Sequence, residues 1–286
     1  MNLFFKQKKA KSDFEESGLP SNRIEVFFDA LKLRFFTFIK LGLVLLLFAL
    51  PLVIADIVKD NCLYSVQIAY SQAEITEDYY SGLVTTIEII YYISEMICFI
   101  VLGLGLSGTL RVIRQIIWGE PVFFSQDFAD GIKKQGARYA IYFFFLGLFN
   151  FFGRLIIVIG FEAEFVRYIP LGMNFVVFLP PLCFALAQSL IYNFKIFDEY
   201  KNGFILYLKT LPKTIIATAI ICLPLLLDLI GLIVLKYILI IVFIVAVLPI
   251  LLMGELLFFV SVFDEHINKE RYPEIYDKGI KRKSVQ

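Results

Sequence analysis

Five residues stand out because they are polar or ionisable inside long apolar runs: Glu95, Asn150, Arg154, Asp228 and Glu255. Burying such groups in hydrocarbon is costly, so each is a candidate to carry a proton, an ion or a substrate, or to tie helices together. Glu95 lies deepest, about eight residues or 12 Å into its run at 1.5 Å per residue, with Glu88 seven residues earlier on the same face. Arg154 and Asp228 both fall toward the outer ends of their runs and can pair. Glu255 lies near the depth of Gln188, and Asn150 near mid-depth. Two readings stay open: interhelical hydrogen bonds and an ion pair that hold a bundle, or a polar path for a substrate or proton.

One serine has a second reading. Gly105-Leu106-Ser107-Gly108 has the G-x-S-G form found around the serine of rhomboid-type intramembrane proteases. That chemistry needs a base beside the serine. The single histidine, His266, lies beyond the last apolar run, and nothing in the sequence orients it toward Ser107. Small residues four apart (Gly103 and Ser107, Gly105 and Thr109) account for the same stretch as a close helix contact. No H-E-x-x-H, no G-x-G-x-x-G and no P-loop is present. Cys62, Cys98, Cys183 and Cys222 form no C-x-x-C pair, which argues against a zinc site or a disulfide framework. The expectation is a protein without catalytic set, metal or cofactor.

The elements that position these residues follow from composition. Apolar residues are 59% and charged residues 19% of the 286, with a mean hydropathy of +0.78. That excludes a disordered chain and argues strongly against an ordinary soluble enzyme. The net charge of +1 gives no electrostatic footprint for nucleic acid. A bilayer core of about 30 Å needs about 20 helical residues. Six runs meet that length: 38–57, 87–110, 139–159, 168–192, 212–231 and 237–262. The last two form nearly one stretch, broken at Gly231–Lys236. The fold class is therefore an all-α polytopic membrane bundle of about six transmembrane helices. The first run starts too far in for a secretory signal and should stay in the mature protein.

Charge sets the orientation. The N-terminal segment, alternate loops and C-terminal tail hold 23 of the 27 Lys and Arg residues, and the other connections hold four: Lys59, Arg154, Arg167 and Lys236. By the positive-inside rule both termini are cytoplasmic. Residues 1–37 form a cytoplasmic segment, 38–262 the six-span domain and 263–286 a basic tail. Asp56–Thr86 is then an acidic outer loop, either simply solvated or a vestibule that attracts cations. Ile24, Phe27, Phe28 and Leu31 repeat at helical spacing behind Asn22 and Glu25, which predicts a capped interfacial helix leading into the first span. Internal prolines (Pro51, Pro180-Pro181, Pro224, Pro249) predict kinked spans, as in transporters with broken helices.

Residues 111–138 read as a cytoplasmic hairpin. Arg111, Arg114, Lys133 and Lys134 sit at headgroup level, Glu120 and Asp127 can pair with them, and Trp118 is placed as an interfacial anchor. The hairpin is either a topological anchor or a docking surface for a partner. The stretch LSGTLRVIRQIIWGEPVFFSQDFADGIKK, from Leu106 to Lys134, resembles the signature region of the YesL-like family of bacterial membrane proteins. The matching features are Gly108-Thr109, Arg111 and Arg114, Gly119-Glu120, Asp127-Phe128, and Lys133-Lys134. The entry FFDALKLRFFTFIKLGLVLLLFALP and the segment Lys201-Asn202-Gly203-Phe204 resemble the same family. About fifty residues, Ile54–Leu104, have no counterpart in that pattern, so Glu88 and Glu95 inherit nothing from it. The resemblance implies a multi-span protein of the bacterial cytoplasmic membrane with a role in carbohydrate uptake. The leading expectation is a non-enzymatic accessory that docks on a sugar permease complex through the hairpin. The alternative is a small secondary transporter using the intramembrane carboxylates.

Overall fold

The computed structural model describes residues 19–159 and 164–281; the side chains of residues 159, 164 and 228 are also outside the description. The basic residues counted before Leu19, together with Arg282 and Lys283, lie outside the described residues. The secondary structure of the described residues is all helical, with no strand among them, and it includes five helices long and apolar enough to cross a membrane, or six with one bent pair.

α1, Arg23–Ser71, starts where expected. The Asn22 side chain accepts from the Glu25 amide at 2.9 Å, and the Glu25 carboxylate accepts from the Ser21 amide at 2.6 Å. The helix bends at Arg34 (φ −124°, ψ 18°), so a first segment leads into the span. Pro51 stays inside α1 with no departure from helical dihedrals around it. The expected acidic loop is corrected: α1 runs on to Ser71, and α2, Glu77–Ile117, begins after only five intervening residues. Ala73 (φ 58°) makes the turn, Tyr70 and Tyr80 stack across it at 4.6 Å, and Glu77 and Asp78 favour the start of α2. From Ile57 to Ser71 the hairpin extends about 21 Å beyond the expected span. Falling hydropathy marked where lipid ends, whereas the helix ends only where the turn residues allow it.

α3, Phe124–Ile159, packs along α2 in the most extensive helix pair. The small-residue stretch of α2 makes this possible. A Cβ on Gly103 would lie 2.9 Å from the Phe143 ring and one on Gly108 2.8 Å from Phe128, while one on Gly131 of α3 would lie 2.7 Å from the Gly108 Cα. Ser107 donates to the Leu104 carbonyl of its own helix at 2.7 Å, and the stretch serves as a packing seam.

The fourth crossing is composite: α4 (Glu164–Met173), a π-helical segment (Asn174–Phe178) and α5 (Leu179–Ile191). So is the last: α8 (Ile233–Val242), π-helical Phe243–Val247, and α9 (Leu248–Phe263). Each π segment immediately precedes a helix with proline at its start, Pro180-Pro181 or Pro249, where the missing N–H breaks the regular ladder. The expected fifth span is corrected. α6 (Ile196–Lys209) and α7 (Leu211–Ile221) meet at 112°, and a 3-10 segment, Leu223–Leu229, carries Pro224.

The core joins Phe38 and Leu41 of α1, Ile113 of α2, Tyr139 of α3, Phe184 of α5 and Met253 of α9, all fully buried. The outside is apolar as well: Leu47 is 64% exposed and Val234 74%. Such a surface suits lipid as solvent. Both ends of the described chain meet at one end of the bundle. Arg23 pairs with Asp264 at 2.6 Å and donates to the Lys278 carbonyl, and the Lys281 amide donates to the Pro20 carbonyl. That agrees with an even number of crossings.

Candidate functional site

α1, α2, α3, α5, α8 and α9, together with the end of α7 and the 3-10 segment, line a half-open cavity of about 420 Å³. Its walls are mostly aliphatic and aromatic, with Phe99, Phe143, Phe175, Phe243 and Phe259 among them. Phe175 and Phe243 come from the two π segments, so the proline-linked irregularities form part of the wall. Along α2 the lining runs from Tyr91 to Leu110, about 28 Å of helix.

The sequence-predicted intramembrane residues divide between the two halves of this cavity. Glu95 is buried and accepts from Asn150 Nδ2 at 2.8 Å. Arg154, one helical turn further along α3, donates from Nε to Asn150 Oδ1 at 3.4 Å, and its guanidinium lies 5.3 Å from the Tyr92 ring centre. Glu95, Asn150 and Arg154 thus form one cluster across α2 and α3. The Asp228 side chain, expected to pair with Arg154, lies outside the described residues. Glu255 stands apart on α9, 18 residues beyond Tyr237 and so about 27 Å along that crossing. It is 8% exposed, and its Oε2 has no hydrogen-bond partner among the described residues.

A second charged cluster, missed in the sequence, closes the end of the cavity nearest the α1–α2 turn. Asp56, Lys59 and Asp60 of α1 meet Lys236 and Tyr237 of α8. Lys59 lies 2.6 Å from Asp56, and Lys236 lies 2.9 Å from Asp60 and 3.1 Å from Asp56. The Tyr237 hydroxyl lies 3.0 Å from Asp56 and 2.9 Å from Asp60, and the Lys59 ammonium sits 4.3 Å over the Tyr91 ring. The spacing of Asp56, Lys59 and Asp60 puts them on one helical face, which was a readable signal. Lys236 was misread as part of a loop. It lies within α8 and is only 5% exposed.

The hairpin residues form a third group at the opposite end. The Trp118 ring lies between two cations, Arg114 at 4.6 Å and Lys278 at 4.2 Å. Glu120 bridges the same two, at 3.2 Å from Arg114 and 2.6 Å from Lys278. Arg114 also donates to the Leu190 carbonyl of α5. Gly279 (φ 86°) follows, so close to the Ile117 carbonyl that a Cβ would lie 2.3 Å from it. Trp118, expected as a lipid anchor, is therefore covered by the chain's own tail. Asp127, expected to pair with a cation, instead accepts from Gln115 Nε2 at 2.8 Å and from the Phe123 amide at 2.6 Å, which ties the start of α3 to α2. Arg111 is half-buried; Lys133 and Lys134 are exposed, Lys134 pairing with Asp130. Nearby, buried Glu199 of α6 accepts from Tyr142 at 2.7 Å and pairs with Arg138, another cluster that sequence reasoning missed.

No protein-family model, no curated protein and no solved structure matches the chain.

Proposed function

We propose that this chain is a small secondary transporter that holds its substrate in the central cavity and uses intramembrane carboxylates for coupling. One observation carries the reading: Glu95 and Glu255, from different crossings and different depths, line the same cavity. Its volume of about 420 Å³ is in the range of small-molecule sites. Irregular backbone at membrane depth, here the two π segments, is tolerated where it lines such a space. In this reading the basic end of the bundle faces the cytoplasm of a bacterium, and the α1–α2 turn faces outward.

The test is flux by the purified protein alone. Proteoliposomes loaded with a pH-sensitive dye are offered lipophilic cations, fatty acids and sugars in turn. Solute-dependent proton movement that protein-free vesicles lack supports the reading, and silence across the panel refutes it. The accessory role in carbohydrate uptake, with the YesL-like resemblance behind it, is the second reading. It rests on the exposed flank of the hairpin around Lys133 and Phe123, because Trp118 and Glu120 are engaged by Arg114 and Lys278. A permease recovered at near-equal amounts with the tagged protein would favour it.

A further inference from the structure

The two halves of the cavity differ in charge balance. Toward the α1–α2 turn, among the described side chains, three carboxylates (Asp56, Asp60, Glu95) face three cations (Lys59, Lys236, Arg154). That end neutralises itself. Glu255 has no such partner. Among the described residues, no Lys, Arg or His forms an ion pair with it and no hydrogen bond reaches it. The other titratable groups lining its half of the cavity are the thiols Cys183 of α5 and Cys222 at the end of α7; Asp56, Lys59, Tyr91, Glu95, Arg154 and Tyr237 line the far half.

A buried carboxylate with neither counter-charge nor donors is strongly disfavoured, so Glu255 must hold a proton or meet a cation that enters the cavity. The walls decide which kind of cation. A small inorganic ion needs a shell of several oxygens. Around Glu255 the lining is thiol, aliphatic and aromatic, and no group of three metal-binding side chains occurs among the described residues. Aromatic side chains of the lining, such as Phe259 one turn from Glu255 on α9, instead suit a large organic cation with its charge spread over an apolar body.

We propose that the cavity binds a lipophilic monovalent organic cation, whose charge takes the place of the proton on Glu255. The exchange balances: the protonated carboxyl releases its proton to solution, and the resulting carboxylate pairs with the entering cation. This rests on the cavity being the substrate site, and it adds the substrate class and the coupling residue.

Tetraphenylphosphonium is the probe, offered to the purified full-length chain in detergent by equilibrium dialysis over a pH series. Affinity should rise with pH, about tenfold per unit while Glu255 is protonated in the free protein. In weakly buffered solution, binding should release about one proton per cation over the same range. Glu255→Gln should weaken binding at least about tenfold and abolish both the pH dependence and the proton release. Glu77→Gln, at the exposed start of α2, should keep all three properties. Glu255→Asp keeps the proton coupling and covers the case in which the glutamine variant fails to fold. Unchanged binding by folded Glu255→Gln overturns the proposal. So does equal or tighter binding of tetraphenylborate, an anion of similar size. Cation binding without flux in proteoliposomes would keep this site and remove the transport reading; flux of neutral or anionic solutes without cation binding would do the reverse.

Discussion

Lys236 offers the sharpest test of the charged cluster between α1 and α8. Its ammonium is 2.9 Å from Asp60 and 3.1 Å from Asp56, and the residue is 5% exposed. Lys236→Met keeps most of the stem and removes the charge. Two carboxylates must then share Lys59, which lies 2.6 Å from Asp56 but 3.5 Å from Asp60. Removing one partner of a buried pair destabilises by about 3–5 kcal/mol. Here Lys59 remains, and the carboxylate side chains keep 14% and 18% exposure, so the loss falls to about 2–3 kcal/mol. At roughly 2–4 °C per kcal/mol for a chain of this size, Tm should drop by about 5–10 °C. Unfolding can be followed in detergent with a thiol-reactive dye that reports exposure of buried Cys98 and Cys183, in a Cys62→Ser background because Cys62 is exposed. Adding Asp60→Asn should recover about half of the loss, since the second carboxylate no longer lacks a partner. A drop below about 2 °C, or a double variant whose losses simply add, would refute the cluster as a coupled unit.

Other outcomes follow from packing, topology and the tail. Gly42→Ala should destabilise by about 1–3 kcal/mol in the same melt, because its Cβ would lie 2.1 Å from the Val245 carbonyl oxygen of the π segment. Gly82→Ala, with nothing within 4 Å, should instead stabilise by about 0.5–1 kcal/mol through helix propensity. Removing residues 273–286 should shift the emission of Trp118, the single tryptophan, to the red and raise its quenching by acrylamide; an unchanged spectrum would mean that the tail is not docked there. A membrane-impermeant maleimide added to intact cells should label Cys62 readily, and protection of Cys62 until lysis would reverse the orientation assigned here.

Much of this protein was legible because its main signals are local. A bilayer imposes length and apolarity on each crossing separately, so the long apolar runs and the meeting of the described chain ends at one end of the bundle follow from sums over neighbouring residues. The cap at Asn22 and the glycine seam of α2 are also local, since each needs only a particular residue type at a given spacing. Boundaries were less legible. Hydropathy places the lipid edge near Ile57, but it is silent on a helix that continues through water to Ser71.

Which ionisable groups meet was decided by tertiary structure. Sequence depth left Lys236 in a loop, whereas the fold buries it between Asp56 and Asp60; the Asn150 that Arg154 reaches was not legible as its partner. Depth along a helix is one coordinate, and a contact also needs each helix's rotation and neighbours. Those are set by side chains far apart in sequence, such as Phe38 of α1, Tyr139 of α3 and Met253 of α9 packing in one core. The same rotations turn Glu95 and Glu255 toward a common cavity and leave Glu255 without a counter-charge among the described residues, an arrangement that exists only once the helices are assembled.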